Sequence, residues 1–445
     1  MTLKPPITGS AYIAARAAES LPGGTVSYNR RMQPELAFTR AHGPYMWDAD
    51  GRRYLDFHAA FAPFLLGHAN TEVDEAVVAA ITDRAPLAGA GVTPMEVDAA
   101  ELFLQCVRTA EQVQFTTSGS EATYHALRLA RAVTGRSHIV VMQGGYNGWH
   151  DHVACNVMTP LSELGPRVSP GEYPYLPMTA GVAAGVAETV HPINFNDLDS
   201  ARLMLEKYPV AAVITEPILQ NVGIIKPQPG YLAGLQNMCR DAGALFILDE
   251  IKTGFRHALG GWQSIEMLSP DLSVFGKAIA NGYALGAVAG SRTVMERFAA
   301  PDVADRVLIG GTYNGHPAPM AAAIATMRLL QRDEFSLYPR LDSLGARMQA
   351  GLEAAASDLG LTATVARQGS AYCLYFMDHL PVDWHDILLH HNFAADVEYR
   401  RRLIDAGVFH FPVATKQSSI STAHSEYHID LAVKEAARAM EALPV

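Results

Sequence analysis

The chain has 445 residues, 49% of them apolar and 18% charged, enough for a large core and for two or three domains, or one large domain with an appendage. Its net charge of −11 argues against nucleic-acid binding and against an anionic membrane surface. Four widely spaced cysteines (Cys106, Cys155, Cys239, Cys373) without a CxxC pair argue against a disulfide framework or a zinc site. With no apolar run of membrane-span length and no signal-like start in MTLKPPITGS, the expectation is a cytoplasmic protein.

Ser10–Leu21 has the pattern of an amphipathic helix stopped by Pro22-Gly23-Gly24. The stretch TVSYNRR, Thr25–Arg31, reads either as a solvated turn or as an anion site, because arginine offers a forked donor matched to a carboxylate. Tyr45–Phe57, YMWDADGRRYLDF, sets an Asp-Gly turn between two runs with aromatic residues and predicts a hairpin. Ala59–His68 is apolar, and Thr71–Thr82 reads as a helix.

In Phe115–Gly135, FTTSGSEATYHALRLARAVTG, Ser118 is an N-cap candidate, Glu121 completes a capping box, and Gly135 is the stop. Ser118-Gly119-Ser120 also puts hydroxyls and free backbone N–H groups at a helix N-terminus, a site suited to phosphate. Ser137–Gln143 predicts a strand running into GGYNGWH. Glycines there allow close approach of a flat ligand, and Tyr146 could stack on it or simply fill space. Val153–Val190 is irregular. Asp199–Tyr208 reads as a helix leading into a strand, Val210–Ile214, with Glu216 just beyond its end.

Two further apolar runs each end in one polar residue, Ala244–Leu248 in Asp249 and Leu272–Gly276 in Lys277. Strands alternating with helices from about residue 115 to 290 indicate a mostly parallel α/β sheet. Ligands bind such sheets beyond the carboxyl ends of the strands, so Glu216, Asp249 and Lys277 are offered at one rim. A lysine and an aspartate in that setting suggest pyridoxal phosphate (PLP). The amine forms a Schiff base with the cofactor aldehyde, and the carboxylate keeps the pyridine nitrogen protonated so that the ring accepts electrons.

Leu308–Pro319, LIGGTYNGHPAP, is glycine-rich and carries Thr312. Ala321–Leu330 and Leu341–Ala355 read as two helices, and the texture changes near Leu341 to an α+β appendage. Strand candidates follow at Thr362–Ala366 and Tyr372–Met377, then helices over Ala395–Ala406 and Ile429–Leu443. His385, His390 and His391 lack a carboxylate or cysteine at ligand spacing, so no metal is expected.

Taken in order, WDADGRRYLDF, FTTSGSEAT, GGYNGWHD, Glu216-Pro217, ILDEIKTGFR, FGKAIANG and GGTYNGHP resemble the motifs of the class III PLP-dependent aminotransferases of fold type I, over nearly the whole chain. Within that family the chain is similar to the subgroup of glutamate-1-semialdehyde aminomutase and of aminotransferases acting on β-amino or aryl amino acids, which the LPGG start and STAHS at Ser421–Ser425 also suggest. The resemblance implies an α/β fold with a mostly parallel seven-stranded sheet flanked by helices in a large domain, residues 61–325. An N-terminal segment, 1–60, and a C-terminal small domain, 326–445, would complete it.

It implies roles as well. Lys277 would carry the Schiff base and move the proton, and Asp249 would pair with the pyridine nitrogen. Ser118, Gly119 and Ser120 would hold the phosphate, Tyr146 would stack on the ring, and Glu216 would position polar groups near the cofactor. Thr312 would reach the phosphate of the neighbouring subunit's cofactor, which makes the site a property of a homodimer. Arg30 falls where the subgroup binds the substrate carboxylate, with Arg31 as the alternative register, and Ser27 and Phe61 would line the same pocket.

Three positions depart from the family pattern: Asn147 follows Tyr146 where histidine is usual, His316 precedes Pro317 where asparagine is usual, and Lys416 falls where the aminomutase has a glutamate. A cation at 416 repels an amino group and favours a carboxylate or a neutral polar group. The expected activity is therefore amino transfer by a ping-pong route, from a carboxylate-bearing α- or β-amino acid to a keto acid, with an aminomutase or racemase as the alternative.

Overall fold

The computed structural model describes residues 9–87 and 90–443. A helix, Ser10–Ser20, leads through the short turns Pro22–Gly24 and Tyr28–Arg30 into three strands: β1 (Phe38–His42), β2 (Tyr45–Asp48) and β3 (Arg53–Asp56). β2 and β3 form the predicted antiparallel hairpin, and Gly51 takes the left-handed conformation (φ 82°) that its turn requires.

The centre of the molecule is a seven-stranded sheet of β4 (Gln112–Thr116), β5 (His138–Met142), β6 (Val190–Ile193), β7 (Val210–Thr215), β8 (Leu245–Asp249), β9 (Leu272–Gly276) and β10 (Gly286–Gly290). The order is β4-β10-β9-β8-β7-β5-β6, and β10 alone runs against its neighbours. Every residue of β7, β8 and β9 is buried, which is why these strands read as unbroken apolar runs and not as alternating ones. Helices Gly119–Thr134, Leu198–Lys207 and Tyr231–Ala242 connect the strands. β4, β5, β7, β8 and β9 all deliver their carboxyl ends to one rim.

The C-terminal part adds β11 (Thr364–Gln368), β12 (Ala371–Tyr375), β13 (Val408–Phe409) and β14 (Ser418–Ser419). β14 joins β11 and β12, whereas β13 pairs in parallel with β3, Val408 opposite Leu55. The first and last parts of the chain thus share one sheet and one apolar cluster of Met46, Tyr54, Ile404, Phe409 and Phe411.

Two helical features differ from expectation. Ala321–Leu330 and Leu341–Ala355 belong to one 42-residue helix, Pro317–Asp358. The polar stretch after Leu330 and the proline at 339 read as a break, but Leu337, Leu341 and Leu344 keep a buried stripe through that region. Phe335, four residues before Pro339, is exposed, so the carbonyl left without a donor by the proline faces water. The second difference is a helix not anticipated from sequence, Pro94–Cys106, started by a Thr93–Glu96 capping box. No helix among the described residues is long and apolar enough to cross a membrane. The four cysteines are buried and free.

A buried ion pair fixes the loop between β13 and β14. Asp396 accepts from Arg400 Nε at 2.6 Å, approaches His391 Nε2 at 3.2 Å, and accepts from the Thr415 backbone N–H at 2.6 Å. Burial alone would raise its pKa; Arg400 and His391 outweigh that and hold the carboxyl below its ordinary value. Thr415 has φ 61°, so this bond holds a strained residue next to Lys416. Asp396→Ala strands the buried Arg400 charge and should cost about 3–5 kcal/mol of stability, measured by urea unfolding at pH 7. In the wild type the contribution is present above the ordinary carboxylate range and is lost as pH falls toward the lowered value, so unfolding midpoints followed with pH should drop on acidification less steeply in the variant.

Candidate active site

The rim begins where β4 ends. Ser118 Oγ accepts from Glu121 N at 3.3 Å, and the Glu121 carboxylate accepts from the N–H groups of Thr117 at 2.8 Å and Ser118 at 3.1 Å. This box starts helix Gly119–Thr134 and leaves the N–H groups of Gly119 and Ser120 without intrahelical partners at its positive end. Gly119 is needed for space: a Cβ there would lie 2.6 Å from Ile251 Cδ1. Ser120 Oγ accepts from Trp149 N at 3.3 Å, which ties this corner to the loop after β5.

The two carboxylates are buried and differently held. Asp249 Oδ2 accepts from Asn147 Nδ2 at 2.7 Å and Oδ1 from the Ile251 N–H at 3.0 Å. Burial raises its pKa, opposed by those bonds and by the charge of Lys277. Glu216 accepts from the N–H groups of Tyr146 at 2.9 Å and Gln220 at 3.2 Å. Burial and the neighbouring Asp249 charge push it up to about 7.

Lys277 follows β9 with φ 48° and donates no hydrogen bond among the described residues. Burial lowers its pKa, while Asp249 and Glu216 pull the other way. The Tyr146 hydroxyl pKa is raised by burial; a hydrogen bond from the side chain of Asn29 works against this, which brings the N-terminal loop to the rim. Lys416 Nζ donates to Asn221 O at 3.1 Å and Asn221 Oδ1 at 3.0 Å, and lies 3.1 Å from Met158 Sδ. Burial and Arg400 push it down to about 8, against the pull of Glu216.

Other expected residues stand apart from this set. Arg30 is exposed in the turn Tyr28–Arg30, Arg31 lies over the Tyr28 ring at 5.0 Å, and neither meets a carboxylate among the described residues. Ser27 is half-buried and bonds to Thr25 and, through its carbonyl, to the Arg30 N–H at 3.0 Å. Thr312 is exposed beside Gly311. Phe61, at φ 68°, packs edge-on to His58 at 4.3 Å and against Phe411 at 5.1 Å. His385 and His391 are engaged with Tyr173 and Asp396, while His390 sits with Asp386 and His379 in an exposed ion-pair cluster.

Sequence reasoning missed several neighbours. Asn147 was visible only as a departure from a motif, and its bond to Asp249 depends on the loop after β5 folding back over β8. Lys252, whose Nζ donates to Gln220 O at 2.7 Å, lies three residues after Asp249 in ILDEIKTGFR, where it reads as a surface lysine. Ile251, Gln220 and Asn221 carry no chemical signal of their own.

The donor set fits pyridoxal phosphate. It offers open N–H groups at a helix N-terminus for a phosphate, a buried carboxylate that gains from a cation beside it, and an amine without a partner. A mostly parallel seven-stranded sheet with a lysine and an aspartate on its carboxyl rim is the frame of a fold type I PLP enzyme. The sequence profile of aminotransferase class-III matches residues 26–419, and the chain belongs to that family, whose members are PLP-dependent enzymes. It is 34% identical over 429 residues to a glutamate-1-semialdehyde 2,1-aminomutase of Methanothrix thermoacetophila, covering 95% of this chain and 94% of that one. An omega-transaminase of Sphaerobacter thermophilus superposes with a TM-score of 0.90 at 30% identity, over 98% of both chains. A beta-phenylalanine aminotransferase of Variovorax paradoxus superposes at 0.83 and 26% identity, over 96% of this chain and 93% of that one.

The surroundings of Lys416 make a direct prediction. Its ammonium should be charged at pH 7 and lose its proton as pH rises through about 8, well below an ordinary lysine. NMR titration of 13C-methylated lysines, assigned with Lys416→Arg, should show one resonance moving in that range; a midpoint near 10 would contradict the pocket geometry.

Proposed function

We propose that this enzyme is an aminotransferase that moves an amino group from a carboxylate-bearing α- or β-amino acid to a keto acid, each substrate using the same pocket in turn, in a cytoplasmic homodimer. The observation that carries the reading is Lys416 Nζ beside Asn221 and within the field of Glu216. The resemblance puts the aminomutase's glutamate at that position, where it serves an intermediate with two amino groups. A cation there repels the second amino group.

When bound at this rim, pyridoxal phosphate supplies an electron sink for the pair left on carbon when a proton beside the amino nitrogen is removed. Lys277 would hold the cofactor through its amine and, when free, would serve as the base that moves that proton. Its burial suits this task, because burial lowers the amine's proton affinity. Asp249, aimed by Asn147 and the Ile251 N–H, holds a proton at the ring nitrogen. Gly119 and Ser120 take the phosphate with Ser118 fixing their geometry, and Thr312 adds to the phosphate site of the partner subunit. Tyr146, its backbone pinned by Glu216, would stack on the cofactor ring. Arg30 takes the substrate carboxylate, with Ser27 and Phe61 as walls.

The 34% identity to an aminomutase over 95% of the chain favours a second reading, an aminomutase or racemase. A keto-acid requirement separates the two. With a carboxylate-bearing amine and no keto acid, the aminotransferase gives one keto product per site and stops, and added keto acid restores turnover. An isomerised product without any acceptor would establish the second reading instead. Lys277→Ala should lower steady-state turnover by about a thousandfold or more, and unchanged multiple turnover in that variant would remove Lys277 from the mechanism.

A further inference from the structure

We infer that the pocket contains a second anion subsite, formed by Lys252 and Lys416, that receives a distal carboxylate of the substrate, so that the amino compound and its keto counterpart are dicarboxylic. This rests on the amino-transfer reading above and names the substrate class of that site.

The two ammonium groups come from distant parts of the chain, one after β8 and one before β14, and converge on a single dipeptide. Lys252 donates to the carbonyl of Gln220, and Lys416 to the carbonyl and side-chain oxygen of Asn221. Carbonyl oxygens orient an ammonium but leave its charge uncompensated. No carboxylate pairs with either lysine among the described residues.

Neighbouring charges do not make up the balance. Arg256 is buried, bonds to Ser370 Oγ at 3.0 Å and to the Ala62 carbonyl, and leaves Nε without a partner. Glu216 attracts both lysines but makes its hydrogen bonds to the N–H groups of Tyr146 and Gln220 and forms an ion pair with neither lysine, while Asp249 is bonded to Asn147 and Ile251, and Asp396 to Arg400. His58 is buried, and the charges of Lys252, Lys416 and Arg400 act with burial to keep its imidazole neutral against Asp56. Burial and the charges of Lys277 and Lys416 hold the Lys252 amine well below an ordinary lysine, and burial with Arg400 lowers Lys416, so charge is costly at both amines and an incoming carboxylate would favour their protonated forms.

The cofactor phosphate does not supply that anion. Its cradle at Gly119 packs against Ile251, whereas the next residue, Lys252, turns away to Gln220. Arg30 is exposed on a different loop, so an anchor there and the lysine pair are separate points that suit the two ends of one dicarboxylate.

The test is calorimetric titration of the holoenzyme with glutarate and with pentanoate, unreactive five-carbon acids with two carboxylates and one. Glutarate should bind at least about tenfold more tightly. K416M and K252M should each erase most of that preference while leaving pentanoate affinity unchanged, and the charge-keeping K416R and K252R should retain it. Equal affinities in the wild type, or a preference that survives both methionine substitutions, would overturn the subsite. The wild-type comparison decides on its own if a methionine variant does not fold. Turnover is not involved, so an enzyme that prefers glutarate but needs no keto acid keeps the subsite and loses the aminotransferase reading. A keto-acid-dependent enzyme without the preference does the reverse.

Discussion

The cost of burying charge shapes this molecule. Parallel strands covered on both faces leave only their ends for chemistry, and the chain sets Glu216, Asp249 and Lys277 at those ends, out of water. Each carboxylate is made tolerable by backbone or amide N–H groups from a different loop. Asn147 belongs to the loop after β5, Gln220 to the loop after β7, and Ile251 to the turn after β8. The bonds that keep the charges affordable are thus the bonds that lock three loops into one constellation. Site geometry and desolvation are one problem here, solved once.

How much of this was legible in the sequence follows from which interactions are local. β7, β8 and β9 could be read because two-sided burial gives short apolar runs, and a polar residue at the end of such a run has no packing reason to be there. The Ser118–Glu121 capping box could be read because it needs only four consecutive residues. Lys252 and Asn147 could not, since their partners lie 32 and 102 residues away. The long helix Pro317–Asp358 was read as two because Pro339 and the polar positions before it mimic a stop, while the apolar stripe that carries the helix through depends on what packs against it. Arg30 shows the opposite limit: its residue type suits a carboxylate, but it is exposed in the turn Tyr28–Arg30 and meets no carboxylate among the described residues.

The pocket proposed above draws on two parts of the chain. One is the rim of the central sheet, which carries the groups any amino-transfer chemistry needs. The other is assembled from the two ends of the chain: Phe61 and His58 after β3, Phe411 and Lys416 after β13. Its geometry is set by the β3–β13 pairing and by the Asp396 bond that holds Thr415 in place. On that proposal, changes in the second part would alter which substrate is taken without touching the reaction centre. This is consistent with one family whose members carry names as different as aminomutase and transaminase.

The pairing of Leu55 with Val408 also imposes an order in time. On a ribosome adding about 5–20 residues per second, β3 is synthesised roughly twenty to seventy seconds before the strand it pairs with. The central sheet lies entirely between them and is complete at Gly290, so the reaction rim can form while the N-terminal hairpin still lacks its neighbour. The strands of the rim are thus synthesised long before the partner of β3, and until the final segment emerges the edge of β3 that Val408 and Phe409 cover stays unpaired.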